Sequence, residues 1–339
     1  MTAGTTAGTR RVVELGAAPR LGALYARAGA SAVRGRLSGG GRASGGAGAS
    51  GGRGASVGRG ASGSRDAPGS RGAPGDVAAL PAVEHRLRGV QPDADRLTAY
   101  QHHVGEPATD ELPAGYVHVL AFPVATALIV RPDFPLPALG MVHLANRVVQ
   151  REPLRVGDAL DVRAWAQDLR PHRRGAQVDL VTEVRPSGGS DADPPVWRGV
   201  STYLAVGSRA AGGAPDEEPR PPFEPPVPTG RWALGADTGR RYAAVSGDAN
   251  PIHLSPLTAK ALGFPRAIAH GMDTAARALA AVGARRGSAY AWDVEFAAPV
   301  LLPSSPSVRV APADGGWTVT AWDAKRGKLH LVARIHPLA

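Results

Sequence analysis

The chain has 339 residues, no cysteine and a formal net charge of +10. Lack of cysteine excludes disulfides, thiolate metal sites and thiol nucleophiles, and the length suits two domains, each with a core of its own. The charge excludes less than it suggests: residues 1–75 hold eleven arginines against Glu14 and Asp66, which leaves the rest close to neutral and without a nucleic-acid footprint.

In chain order, the first 35 residues read as an extension. Leu21, Leu24, Tyr25 and Ala28 recur at helical spacing, which predicts a short amphipathic helix within 12–29 that can dock on the body. Thr9-Arg10-Arg11 has the look of a twin-arginine signal, but Arg20 and Arg27 interrupt the apolar stretch behind it and no cleavage site follows, so the expected location is cytoplasmic. Residues 36–75 contain 15 Gly and 7 Ser with near-tandem GRGAS and SR(D/G)APG units. They offer almost no apolar side chain to offset ordering entropy and are expected to form a disordered linker. An RNA-binding or scaffold role for this tail is the non-enzymatic alternative, although aromatic residues for base stacking are missing from it.

Residues 76–206 and 230–339 read as two similar halves, joined across 207–229 by a proline-rich spacer. Each opens with a strand and a short helix that ends on glycine, with Tyr100 five residues before Gly105 and Tyr242 five before Gly247. A Val117-His118 or Ala269-His270 pair then leads into an apolar helical stretch. The run Tyr116–Val130, the longest of these, is shorter than the ~20 residues of a membrane span. Each half closes with strands that start at Val148 or Val294 with a Pro five residues on, and alternation over 159–166, 177–184, 308–310, 317–322 and 329–335 supports antiparallel pairing. The repeated order predicts duplication of an α+β unit, one helix packed on a curved antiparallel sheet.

The halves part company between the glycine and the histidine: thirteen positions separate Gly105 from His118, and twenty-three separate Gly247 from His270. The added length contains Ser246-Gly247-Asp248-Ala249-Asn250-Pro251-Ile252-His253. Gly247 reads as a left-handed helix stop and Asn250-Pro251 as a rigid turn, so a carboxylate and an imidazole can converge on one small volume, an arrangement suited to acid–base work on a bound water. In the first half Glu106 stands where Asp248 does, with no Asn-Pro-x-His after it, so it reads with His102 and His103 as a remnant or a packing residue.

Tyr242-x3-Ser246-Gly247-Asp248-x-Asn250-Pro251-Ile252-His253, with Gly263-Phe264 and Ala269-His270-Gly271-Met272 behind it, resembles the signature of the MaoC-like (R)-specific enoyl-CoA hydratases, the hydratase 2 type. The resemblance covers roughly residues 80–339 and implies a double hot-dog whose first half lacks the catalytic loop. It implies that Asp248 and His253 are catalytic and hold the water, that Asn250 orients them, and that Ser246, Gly271 and Met272 lie on the substrate side. Which of Asp248 and His253 acts as base stays open, because a close carboxylate–imidazole pair titrates as a unit. The N–H of Gly271, at the start of a helix, is the candidate donor to an enolate-like thioester oxygen. His270 is expected to bond loop backbone beside the site.

The implied reaction is reversible hydration of enoyl thioesters on coenzyme A or an acyl carrier protein, without a cofactor, membrane or specific nucleic acid as partner; a homodimer is compatible with it. Two readings compete with it in detail. A hot-dog thioesterase would release thiol. A metal held by Asp248, Asn250 and His253 lacks an evident third strong ligand.

Overall fold

The computed structural model describes residues 10–29, 79–213 and 222–338. The linker expected at 36–75 lies outside them, as does the middle of the proline-rich spacer.

The described chain begins with strand β1 (Arg11–Glu14) and a helix α1 over residues 21–29. The first half then runs β2 (Val83–Val90), α2 (Ala94–Val104), α3 (Ala114–Ile129), β3 (Val142–Gln150), β4 (Leu160–His172), β5 (Gly175–Pro186) and β6 (Trp197–Val206). The second runs β7 (Gly230–Arg231), α4 (Thr238–Ser246), α5 (Pro251–Leu254), α6 (Pro256–Ala261), α7 (Gly271–Val282), β8 (Tyr290–Phe296), β9 (Ser307–Ala313), β10 (Gly316–Asp323) and β11 (Lys328–Pro337). All these strands join one sheet in the order β1-β2-β4-β5-β6-β3-β8-β11-β10-β9-β7.

That order is a duplication written in hydrogen bonds. From the outer edge inward, β2-β4-β5-β6-β3 of the first half matches β7-β9-β10-β11-β8 of the second, and the halves meet where β3 pairs antiparallel with β8. Arg147 stands opposite Asp293 at the centre of that ladder, with Val148 facing Trp292 and Asn146 facing Val294, so the two valines are equivalent. Both lie near the ends of their strands, which begin upstream at Val142 and Tyr290, and this corrects the expectation that strands start there.

Each sheet half wraps a helix. α3 is apolar all round and almost wholly buried, as a helix enclosed by a sheet must be. α7 buries Ala275, Ala276, Ala278, Leu279 and Val282, and its small side chains let β10 and β11 come close. The alternating stretches supply the other wall, with Val162 and Ala164 of β4 and Val178, Leu180 and Val184 of β5 turned into the core. The architecture is an α+β double hot-dog. No helix among the described residues is long and apolar enough to cross a membrane.

The N-terminal segment is part of this body. A helix as short as α1 is marginal in water and needs tertiary contacts. Leu21 and Leu24 are buried against Ala127 of α3, beside Phe122, and each such burial is worth about 1.5–3 kcal/mol. β1 adds a parallel strand to β2 from Arg11–Val83 to Glu14–Arg86, and the Arg10 guanidinium lies 4.6 Å over the Trp165 ring. Alternation cannot announce a four-residue parallel edge strand, and the sequence reading missed β1. Removing residues 1–75 as a dispensable tail would therefore strip away folded structure.

Candidate active site

The loop from Gly247 to His253 is shaped by short-range chemistry. α4 stops at Gly247, whose φ of 77° is the left-handed conformation that frees the chain to reverse. Asp248 follows, and its N–H donates to Ser246 Oγ at 3.1 Å. Asn250 then caps α5, its Oδ1 accepting the Ile252 N–H at 3.4 Å with Pro251 in the first helical position. This turn carries His253 back over α4, where Gly239 is obligatory: a Cβ there would run into the His253 carbonyl oxygen. The first half braces the loop as well. Arg96 of α2 donates to the carbonyls of Val245 at 2.7 Å and Ser246 at 2.9 Å, taking up the orphan acceptors at the end of α4.

The side chains converge as follows. Asp248 Oδ1 accepts the Asn250 N–H at 3.2 Å and the Tyr25 hydroxyl at 2.7 Å. His270, the residue before α7, donates through Nε2 to the Asp248 carbonyl at 2.9 Å and lies 3.9 Å from Oδ2. His253 donates through Nδ1 to the Ile268 carbonyl at 2.9 Å, which leaves its Nε2 with a lone pair. The His253 and His270 rings stack at 3.7 Å, and Tyr242 lies 4.8 Å from His270 on α4. A carboxylate oxygen of Asp248 and a ring nitrogen from each histidine all fall within 4.8 Å of one another.

Of the expected site residues, Asp248 and His253 come together. Asn250 reaches Asp248 through its main chain, since its side-chain oxygen is engaged in capping α5. Ser246 holds the turn, and Met272 is buried in the core cluster. Gly271 opens α7, so its N–H has no intrahelical acceptor, and a Cβ on it would touch the Phe296 ring at 3.4 Å.

The family model described as "MaoC like domain" matches residues 212–318. The 3-hydroxyacyl-thioester dehydratase X of Mycobacterium tuberculosis is 41% identical over 246 residues, which are 73% of this chain and 86% of that protein. The chain belongs to the MaoC-like dehydratase family. The crystal structure of HtdX from the same organism superposes with a TM-score of 0.66 at 37% identity, covering 75% of this chain and all of the other. A MaoC-like dehydratase from Phytophthora capsici shares the fold at 18% identity, with a TM-score of 0.57 over 75% of this chain and 94% of that one.

As a MaoC-like dehydratase the protein is a hydro-lyase, and its electrostatics suit acid–base work. Burial pulls the Asp248 carboxyl upward, but His270, His253, the Tyr25 hydroxyl and the Asn250 N–H together pull harder, so it lies below its ordinary value. Burial and the neighbouring His270 drop His253 to about 3, so a carboxylate and a neutral imidazole face each other at neutral pH. The three groups are also the one His/Asp/Glu cluster among the described residues near enough to consider for a metal. The two rings stack at an interplanar angle of 26°, and His253 Nδ1 and His270 Nε2 are both spent on backbone carbonyls, which leaves one ring nitrogen of each histidine for a ligand.

Three contributors escaped the sequence reading. The sequence places Tyr25 only on the apolar face of a docking helix, with no sign of a polar role. Arg96 carried no signal at all. His103 is no remnant: its Nε2 lies 3.1 Å from Asp273 Oδ1 on α7, where Arg277 Nε also binds at 2.8 Å. Asp273 is fully buried, and a charge there demands such partners. His103 also lies 5.6 Å from the Tyr242 ring, which itself lies 4.8 Å from His270, so the first half reaches the site through this ring.

Proposed function

We propose that this dehydratase interconverts trans-2-enoyl thioesters and (R)-3-hydroxyacyl thioesters, carried on coenzyme A or an acyl carrier protein. The observation that carries the reading is the meeting of Asp248 and His253 in one small volume beside the head of α7. A water held there can donate one O–H to Asp248 Oδ2 and the other to His253 Nε2. Its oxygen adds to C3 as one of the pair takes a proton, and the pair returns a proton to C2 on the same face, so both elements of water end in the product. Both groups are unprotonated at neutral pH, so each can accept a hydrogen bond from the water. Negative charge grows meanwhile on the thioester oxygen, where the Gly271 N–H and the positive end of the α7 dipole can meet it. Coenzyme A enters as part of the substrate, and these steps draw on no other group.

The test is hydration of crotonyl-, octenoyl- and longer enoyl-CoAs by the full chain, with chiral analysis of the product and a parallel assay for free thiol. The (R)-3-hydroxyacyl product without thiol release is expected. Thiol release without hydration would favour a thioesterase, and an (S) product would refute the proposed face of addition.

A further inference from the structure

The hydrogen bond from Tyr25 to Asp248 crosses 223 residues of chain and comes from outside the two hot-dog units. We propose that Tyr25 is a positioning residue of the active site, which ties up Oδ1 of Asp248 and so makes Oδ2 the oxygen that faces the water. The inference rests on the catalytic reading of Asp248 given above.

The geometry supports this from both ends. Oδ1 receives two donors, the Tyr25 hydroxyl and the Asn250 N–H, whereas the contact recorded for Oδ2 is His270 Nε2 at 3.9 Å, beyond hydrogen-bond range. A carboxylate held at one oxygen keeps its plane and aim and presents the other oxygen to the reaction. On the side of α1, the contact is no chance brush of a loose end. Leu24 is buried on α3, and Leu21 reaches past it to within 3.8 Å of where a Cβ on Gly247 would stand. The helix thus spans from the first half to the start of the catalytic loop, with β1 fastening the chain before it to the sheet edge. Burial, then the Asp248 charge and hydrogen bond, push the Tyr25 phenol far above its ordinary value, so it remains a donor at every working pH.

Besides the stacked imidazoles, the ionisable groups facing Asp248 are Tyr242 of α4, Tyr203 of β6, His118 of α3 and His143 of β3, with Arg96 of α2 at the loop. Burial raises both tyrosines and lowers His118 to about 4 and His143 to about 3, so these four stay neutral between pH 5 and 8. Loss of a donor to the ionised carboxylate raises its pKa, and the acid limb of the rate profile must then move towards neutral pH.

The experiment compares Tyr25→Phe, Leu24→Asn and Asp248→Asn in the full chain, with kcat and KM on crotonyl-CoA followed across pH. A hydrogen bond to a charged group is worth about 10- to 100-fold. Tyr25→Phe is expected to lower kcat by that factor with KM little changed, and to shift the acid limb upward while Tm holds. Leu24→Asn, which loosens α1 without touching a polar group of the site, should produce a milder form of the same change. Unchanged kcat and pH profile in Tyr25→Phe would reduce the tyrosine to packing, and increased turnover would make it a blocker of the water; either overturns the proposal. Asp248→Asn separates the failures: near-normal turnover there would sink the catalytic reading itself, whereas an inactive Asp248→Asn beside a normal Tyr25→Phe would sink only the role of Tyr25.

Discussion

Gly105 and Gly247 close α2 and α4 in the same left-handed conformation, and each is followed by an acid largely removed from solvent. What surrounds the two acids differs. Glu106 is ion-paired with Arg286 at 3.0 Å, and the N–H of Ala114 at the head of α3 donates to the Tyr290 hydroxyl at 3.2 Å. Both partners come from the second half: Arg286 pairs Glu106 with a cation, and the Tyr290 hydroxyl takes up the N–H at the head of α3, whereas Gly271 opens α7 without an intrahelical acceptor. The inserted segment with α5 and α6 makes the remaining difference by bringing in His253. The same turn thus ends on an ion-paired acid in the first half and on the proposed catalytic acid in the second, and the first half braces that loop through Arg96 and meets α7 through His103.

The sharpest way to break this comparison is to remove the charge from each acid. Asp248→Asn keeps the shape but loses the proton acceptor, and its turnover on crotonyl-CoA should fall about 10²–10⁴-fold with the fold intact. Glu106→Gln should leave turnover within a few-fold and act on stability, because Arg286 loses its counter-charge. Burial already holds the Glu106 carboxyl above its ordinary value against the pull of Arg286, so the loss in Tm should be modest. Equal kinetic damage from both variants would refute the division of roles.

The two helix heads give the next test. Gly271→Val adds bulk that meets the Phe296 ring and disturbs the N–H proposed to meet the thioester oxygen, and one lost oxyanion donor costs roughly 10²–10³ in kcat. The counterpart is Ala114→Val. Pairing His118 with His270 would make Val119 the counterpart of Gly271, but α3 starts at Ala114 and Val119 lies more than a turn inside it. Ala114 is fully buried, so its valine variant should lower Tm by overpacking while short-chain turnover is largely kept. Circular dichroism melts beside crotonyl-CoA kinetics would separate these outcomes.

That misplaced counterpart shows where sequence reading reaches its limit. The loop from Ser246 to His253 was legible because its geometry is local: a left-handed glycine, an Asn-Pro turn and the groups they aim sit within eight residues. Strands β4, β5, β9, β10 and β11 were legible from alternation. The start of α3 was not, because Ala114 to Ile129 is apolar on every face and has no period from which to read a boundary. Matching His118 with His270 followed from that, although His270 caps α7 and His118 does not cap α3. Tyr25–Asp248 and His103–Asp273 were invisible for another reason: they join residues 223 and 170 positions apart, and no local pattern encodes such a pairing.

A smaller effect distinguishes the halves by pH. His118 at about 4, and His143 and His253 at about 3, lie below the ordinary value near 6.5 of an unfolded chain. As pH falls below about 6.5 the unfolded chain takes up protons that the folded one refuses. Stability is therefore full above that pH and declines by about 1.4 kcal/mol per pH unit for each histidine, down to the folded values. His118→Gln should flatten the slope of ΔG against pH between 6 and 4.5 by one proton without removing the Asp248–His253 pair. An unchanged slope, measured by urea denaturation, would show that His118 protonates freely in the folded state and does not belong to the dry wall around the site.

The smallest effect expected is that of deleting residues 36–75, and it sharpens a second contrast, between two parts of one N-terminal stretch. Residues 10–29 carry β1, the Leu21 and Leu24 contacts and Tyr25, all made to the folded body. Residues 36–75 carry six of the eleven arginines and almost no apolar side chain. If they serve only as a spacer, shortening it lowers the entropy cost of holding residues 10–29 against the body, by about 0.6 kcal/mol for each halving of length. Crotonyl-CoA hydration should then be unchanged and Tm unchanged or slightly raised, while weak, salt-sensitive binding to RNA decreases. Deleting residues 1–29 instead should lower both turnover and Tm. A fall of several degrees on removing 36–75 would mean that this stretch packs on the body, and the boundary drawn here between structural extension and spacer would have to move.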